Sequence, residues 1–478
     1  MDLDSGAGLL HRLTSYTPDQ DWDVPVDDPR VRHDLVPNDP DTIPPPIKQY
    51  DAGLPVTPLP RKLPDPGVSA TAALAGSAVD RQPLDAAQLG RILYLGAGVV
   101  RTGERPGRKI LFRAAGSAGA RFPLEVYAST RGVYGVPDGV HWYDPVDHAL
   151  VQVGPVAQGE TTSLILTGVP WRTGWRYAER GWRHLYWDGG TLLSQLIAAA
   201  DSAGLSPRLR TRFPDTRLAE LVGADGVHEF PIALVSLGDG TPAIQPSGPA
   251  TTGDLPPVEL PLCTQAQRAG DGDETGQPWP AGEALNDVPG SATLDEVILR
   301  RGSQRLMNRD VHLSRHQLDW PLRAAMRGID VPHWVVVHGV ENMRPGIYRW
   351  PNLEEPQRQA ELRDELLRVS LEQFLAADAG YVVIAAIDGT GLDDRSYREA
   401  QLAAGLVEGR LHLAAYALGA TASGMTFADS ELPALLEQPE TLVTLLFTCV
   451  GVGSYASQAG GKPGAPVHVR QVTPKAND

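Results

Sequence analysis

The chain has 478 residues, 42% of them hydrophobic, and a formal net charge of −16. That length exceeds one average core and points to two domains, and the ordinary apolar content suits packed interiors. The acidic balance argues against a nucleic-acid partner, whose affinity rests largely on cationic contacts to phosphate, and no basic amphipathic stretch invites a membrane surface.

The start, Met1-Asp-Leu-Asp-Ser-Gly6, is acidic where a signal peptide needs a basic and then apolar opening, so a cytoplasmic location is expected. Residues 1–66 are rich in proline and aspartate, with Pro44-Pro45-Pro46 among them, and show neither helical nor alternating periodicity. They predict an extended, polyproline-like arm that either wraps the globular part through Tyr16, Trp22, Ile47, Tyr50, Leu54 and Leu59 or trails free. A first globular half spans 67–240: a helix over 84–93, a strand over 124–127, a hairpin around Pro137-Asp-Gly139, a long buried helix over 185–203 stopped by Gly204, and a strand over 230–237. Residues 241–290 read as a turn-rich linker, where Asp271, Asp273 and Glu274 lack the spacing of a calcium loop. A second half spans 291–478. Its apolar run near Leu442–Val452 is too short to span a bilayer. Cys263 and Cys449, the only cysteines, leave no disulfide framework, and the histidines show no metal-ligand spacing, so no metal is expected.

Two stretches carry chemistry. Arg113-Ala-Ala-Gly116-Ser117-Ala118-Gly119-Ala-Arg121-Phe-Pro123 gives a backbone that a flat ligand can approach closely. Its exposed N–H groups and Ser117 can donate to ring oxygens or a phosphate; an ordinary turn before a strand is the alternative. Arg300-Arg301-Gly-Ser303-Gln-Arg305 offers guanidinium forks suited to a phosphate, or else a solvated helix face. Gly96-Ala-Gly98 is not a dinucleotide fingerprint, because it follows a helix and ends on Arg101, and no Gly-x-Ser-x-Gly elbow is present.

The second half repeats the first. Arg183, Gly190, Ala199-Ala200 and Gly204 recur as Arg398, Gly405, Ala414-Ala415 and Gly419, an offset of 215. Phe213-Pro-Asp215 recurs as Phe427-Ala-Asp429, Pro123 as Pro332, and Gly139-Val-His-Trp142 as Gly346-Ile-Tyr-Arg349. Two copies of one unit suggest an internal pseudo-dimer. The copies differ where it matters: the second lacks the small-residue loop between Met326 and Pro332, and the first has Leu74-Ala-Gly-Ser-Ala-Val79 in place of the arginine cluster.

With Arg176-Tyr-Ala-Glu-Arg-Gly-Trp-Arg183 ahead of the long helix and the arm's Lys48-Gln-Tyr50 and Leu59-Pro-Arg61, this arrangement resembles the FMN-dependent nitroreductase superfamily, specifically its SagB/ThcOx-type dehydrogenases, which oxidise azolines to azoles in ribosomally made peptides. The resemblance implies an α+β, nitroreductase-like fold whose tandem halves form an intrachain pseudo-dimer around one FMN. It implies that Arg301, Ser303 and Arg305 hold the phosphate and ribityl chain, and that Gly116, Ser117, Ala118 and Gly119, flanked by Arg113, line the isoalloxazine. It places the family's backbone contacts near flavin N5 at Ala422, Ser423 and Gly424, and Lys462 is expected as a further phosphate contact. The partners it implies are a modified peptide substrate and a cyclodehydratase complex, with no nucleic acid and no membrane. The expected state is a monomer acting as a pseudo-dimer, or a weak homodimer.

Two positions depart from the family. Gly116 stands for its proline, and Arg176-Tyr177 for its catalytic Lys-Tyr pair. Arginine does not deprotonate, so Tyr177 is the base only if Arg176 and Arg180 lower its pKa; the alternative is that these residues merely pack and pair with Glu179. His184 and Asp188 read as helix-face residues. Reduction of nitroaromatics or quinones with NAD(P)H, and a flavin-free scaffold of a peptide-modifying complex, are the competing expectations.

Overall fold

A computed structural model describes residues 1–18, 39–105, 108–254, 258–470, 472, 473 and 475. The segment 19–38 of the expected arm, with Trp22, lies outside the described residues. Five helices position the site: α1 (Gly6–Thr14), α2 (Ala86–Ala97), α3 (Gly181–Asp201), α4 (Leu294–Arg300) and α5 (Asp394–Ala417).

Nearly continuous apolar runs rich in β-branched residues, buried on both faces, build two antiparallel sheets. The first runs, edge to edge, Val56–Pro58, Ala149–Gly154, Gly139–Asp144, Leu124–Thr130, Ser163–Gly168, Phe230–Leu237 and Pro207–Arg210. The second runs Arg358–Gln359, Gly346–Arg349, His333–Val337, Tyr381–Asp388, Leu442–Gly451 and Thr421–Met425. Five strands follow the same order in both, and α3 and α5 each fill the same place, between the strand pairing with the central one and the last edge strand. This is the repeat expected from the offset of 215.

The two long helices cross against each other at the repeated glycines. A Cβ on Gly190 would run into the backbone N of Leu406, and one on Gly405 into the carbonyl of Trp187, so both positions need a residue without a side chain. Trp182 stacks on Tyr397, its own repeat-mate, at 5.9 Å, which puts that pair on the pseudo-twofold axis. Ser69 and Thr293, which cap helix Ala70–Ala75 and α4, meet in an isolated antiparallel bridge. After α3 and α5 the chain turns on Gly204 and Gly419, with φ of +65° and +78°.

Two stretches differ from expectation. Residues 6–14 of the arm are helical, because Leu9 and Leu10 bury on one side while Ala7 N–H is capped by Asp394 Oδ1 at 2.6 Å. The linker contains a helix, Pro261–Ala269, opened by its proline and burying Leu262, Cys263 and Ala266. The rest of the described arm is clasped to the first half: Val56–Pro58 adds an edge strand, Leu59 is buried, and the Lys48 ammonium is enclosed by Glu229 and Tyr127. The C-terminal strand Val467–His468 pairs in parallel with Val99–Arg105, returning the second half's tail to the first.

Candidate functional site

The small-residue loop leaves strand Arg108–Arg113 and is fixed from below by α3. Asp188 Oδ2 accepts from Ser117 Oγ at 2.5 Å and Oδ1 accepts from Ala118 N–H at 3.0 Å, while Phe122 N–H donates to Ser117 Oγ at 2.8 Å. Asp188 is thus a buried helix-face residue that anchors the loop. Burial pushes its carboxyl up to about 7, against the pull of those two donors. Gly119 sits at φ +57°, and a Cβ there would lie 2.8 Å from both Tyr177 Oη and Arg176 Cδ. The loop thus passes directly against the Arg-Tyr pair.

The second half meets this loop with its arginine cluster. Arg301, only 3% exposed, donates from Nη2 to the carbonyl of Ala114 at 2.6 Å, and its Nη1 faces His412 Nδ1 at 3.2 Å. Among the described residues it makes no ion pair, and its Nε has no hydrogen-bond partner. Burial lowers it to about 10. A Cβ on Gly116 would lie 3.3 Å from Arg301 Nη1 and 3.5 Å from Ser303 Oγ, so glycine here lets the two halves approach closely. Ser303 and Arg305 are exposed at the rim. Arg305 is fixed through its backbone N–H to Tyr455 Oη at 3.1 Å, and its charge acts on Tyr177.

The third wall is strand Thr421–Met425. Ala422 and Ser423 are buried, and Gly424 lies over Glu408 of α5, to whose carboxyl its N–H donates. Glu408 is pushed up to about 8, first by burial and then by the charge of Asp188. The loop, Arg301 with Ser303, and Ala422–Gly424 therefore surround one place.

One expected residue turns elsewhere. Arg113 is buried against the carbonyls of Ala97 at 3.1 Å and Pro46 at 3.4 Å, and so ties the arm to α2. Lys462 is exposed in a turn closed with Ala465. The condition for a Tyr177 base is not met. Burial raises its phenol above the usual value, and the Arg176 charge and hydrogen bond only moderate that. Arg180 instead faces away, to Asp429 at 2.7 Å and the carbonyl of Thr14 at 2.6 Å. Beneath Tyr177 lies His184, stacked at 4.2 Å, buried, and held neutral by its burial and by Arg180 and Arg183.

The pseudo-equivalent place in the other orientation is filled by protein. Arg410, the repeat-mate of Gln195, donates to the carbonyls of Ala325 at 3.1 Å and Arg327 at 2.7 Å. Arg327 in turn spans the carbonyls of Glu283 at 2.8 Å, Leu74 at 2.9 Å and Gly282 at 3.2 Å. The linker thus seals the half that lacks a small-residue loop.

Sequence reasoning missed Glu408 and His412 and did not see that Asp188 anchors the loop. A signal was available: each is a polar residue on a helix that is otherwise buried, and Asp188 and Glu408 each stand next to glycine. The donor set fits a flat ring bearing a phosphate. It offers a buried guanidinium with no carboxylate partner among the described residues and two glycines that keep the walls clear.

No family model matches the chain. Over 171 residues, 33% of this chain and 81% of the relative, it is 29% identical to a protein of Methanocaldococcus jannaschii named "Putative nitroreductase MJ1384". A crystal structure described as that of a "putative nitroreductase" from Anabaena variabilis superposes with a TM-score of 0.71 at 21% identity, covering 94% of this chain and 99% of that one. The chain therefore has a nitroreductase-like α+β fold, and the near-complete cover means that the two-half arrangement is shared as well. The fold and the Methanocaldococcus match together support the nitroreductase-like superfamily.

Proposed function

We propose that the chain is an FMN-dependent oxidoreductase that holds one flavin between its halves. The observation that carries this is Arg301 of the second half, buried without a carboxylate partner among the described residues and seated under Gly116 of the first. In this reading Arg301 and Ser303 hold the phosphate and ribityl chain, with Arg305 at the rim. Gly116–Gly119 lie along the ring, and Ala422–Gly424 meet it from the second half. A bound FMN supplies two-electron hydride chemistry. The protein's part is to orient it, and to present substrate beside Tyr177 and Arg176 at the exposed edge.

The finer reading is oxidation of thiazolines or oxazolines to azoles in a modified peptide, in association with a cyclodehydratase. It rests on the resemblance of the loop and the Arg-x-Ser-x-Arg run to SagB-type dehydrogenases. One observation favours a second reading, reduction of nitroaromatics or quinones with NAD(P)H. Azoline oxidation needs a base at the substrate, whereas Arg176 stands for the lysine and the Tyr177 phenol stays protonated. The absorption spectrum of protein incubated with FMN and desalted tests the shared reading, and a colourless product defeats it. Anaerobic bleaching by an azoline peptide but not by NADPH supports the dehydrogenase, and the reverse supports the reductase.

A further inference from the structure

We propose that Glu408 faces the bound flavin and is held protonated while the flavin is bound, with Asp188 of the opposite half fixing the loop across from it. The inference rests on the flavin reading above and names a group that the resemblance does not supply. Glu408 comes from α5 at the crossing of the two halves, and its side chain is 13% exposed. Its surroundings are Asp188 and Thr191 from α3, His412 from its own helix, Arg301 after α4, the Gly424 N–H, and Cys449 on strand Leu442–Gly451. Thr191 Oγ1 approaches at 3.4 Å and His412 Nε2 at 3.7 Å.

None of these gives the carboxylate a strong counter-charge. His412 is kept neutral by burial and by Arg301, so it brings no positive charge. Arg301 is turned to Ala114 and His412, and Cys449 is a buried thiol pushed well above its usual range. Glu408 makes no ion pair with a lysine or arginine among the described residues. A phosphate dianion arriving at Arg301 takes the influence of that guanidinium for itself and adds like charge, while the ring covers the part of Glu408 that is exposed. Desolvation and like charge both disfavour an ionised carboxyl, so the bound state holds it neutral. In the free protein the carboxyl is already pushed up to about 8. Binding therefore takes up no proton well below that value and approaches one proton above it.

The test is FMN affinity, followed by quenching of flavin fluorescence between about pH 7 and pH 9.5, where the phosphate is already a dianion. The expected dissociation constant is level at the lower end and rises by about tenfold per pH unit at the upper end. Glu408→Gln is expected to bind with a flat profile, and Asp188→Asn to bind more weakly while keeping the slope. Calorimetry of the wild type at about pH 9 in two buffers of different ionisation heat is expected to report close to one proton taken up, and this does not depend on any variant folding. A wild-type profile that is flat, zero uptake at about pH 9, or an unchanged slope in Glu408→Gln overturns the proposal alone. No FMN binding even at about pH 7 overturns the flavin reading and this proposal together.

Discussion

Arg183 of the first half reaches Asp429 of the second at 2.6 Å, and Arg398, its repeat-mate, reaches back to Asp215 at 3.0 Å. Arg180 and Arg395 double the same exchange, to Asp429 and Asp215. Residue i contacting j while j's counterpart contacts i's is the mark of an isologous interface, here inside one chain.

The two pairs are not of equal weight. Asp429 neutralises two guanidiniums that are fully enclosed, whereas Arg398 keeps a second partner, Asp271, at 2.8 Å. Asp429→Asn leaves two buried cations uncompensated and is expected to destabilise the chain by about 3–5 kcal/mol. Asp215→Asn should cost less. Urea midpoints compare them, and equal losses would count against this ranking. Arg180 and Arg183 hold Asp429 well below the usual carboxylate range despite its burial. Its contribution is therefore complete above the unfolded value near 4 and is lost as the pH falls further, toward its folded value.

Arg301 is predicted to carry flavin retention. Arg301→Ala removes the buried guanidinium that lacks an ion-pair partner, and charge-assisted hydrogen bonds to a phosphate are worth about 1.5–3 kcal/mol each. FMN affinity should fall about a hundredfold, measured by fluorescence titration, with thermal stability little changed because a buried charge leaves with the side chain. Retained affinity would remove Arg301 from the phosphate site.

The repeat, and with it the crossing of α3 and α5, was legible in the sequence because glycine, arginine and aspartate recur at nearly fixed spacing where the halves touch. The meeting of the small-residue loop with the arginine cluster was legible from their complementary absence. What escaped was whatever depends on direction. Helical spacing does not say that Glu408 lies under Gly424, or that Asp188 turns to Ser117. Arg113 sits beside the loop in sequence, yet its guanidinium points to Ala97 and Pro46. The helix Gly6–Thr14 was hidden by the prolines that follow it, although Leu9, Leu10 and Leu13 already mark one apolar side.

A single flavin per chain is expected. The place related by pseudo-symmetry is occupied by Arg327 and Arg410, bonded to linker and loop carbonyls, and a Cβ on Gly282 would run into Gly328. Absorbance and protein determination after saturation should give one FMN per chain, and two would contradict the filled site. Arg327→Ala should lower stability without raising that number.

Tyr177 and Arg176 give the last prediction. The phenol is held above its usual value by burial, so ionisation of Tyr177 should add no limb to the activity profile below about pH 10. Tyr177→Phe is expected to keep its flavin, because no phosphate contact is touched, and to lose about ten- to a hundredfold in turnover if the hydroxyl delivers or receives a proton. Arg176→Lys separates the two reaction classes. It restores a side chain that can deprotonate, beside Tyr177 and against Gly119. An azoline dehydrogenase should gain rate from it, with a new basic limb in the pH profile. An NAD(P)H-driven reductase, which needs no base at its substrate, should show no such limb. Stopped-flow reduction of the flavin by each donor, in wild type and variant, distinguishes the two, and a rate insensitive to both substitutions would take this pair out of the chemistry.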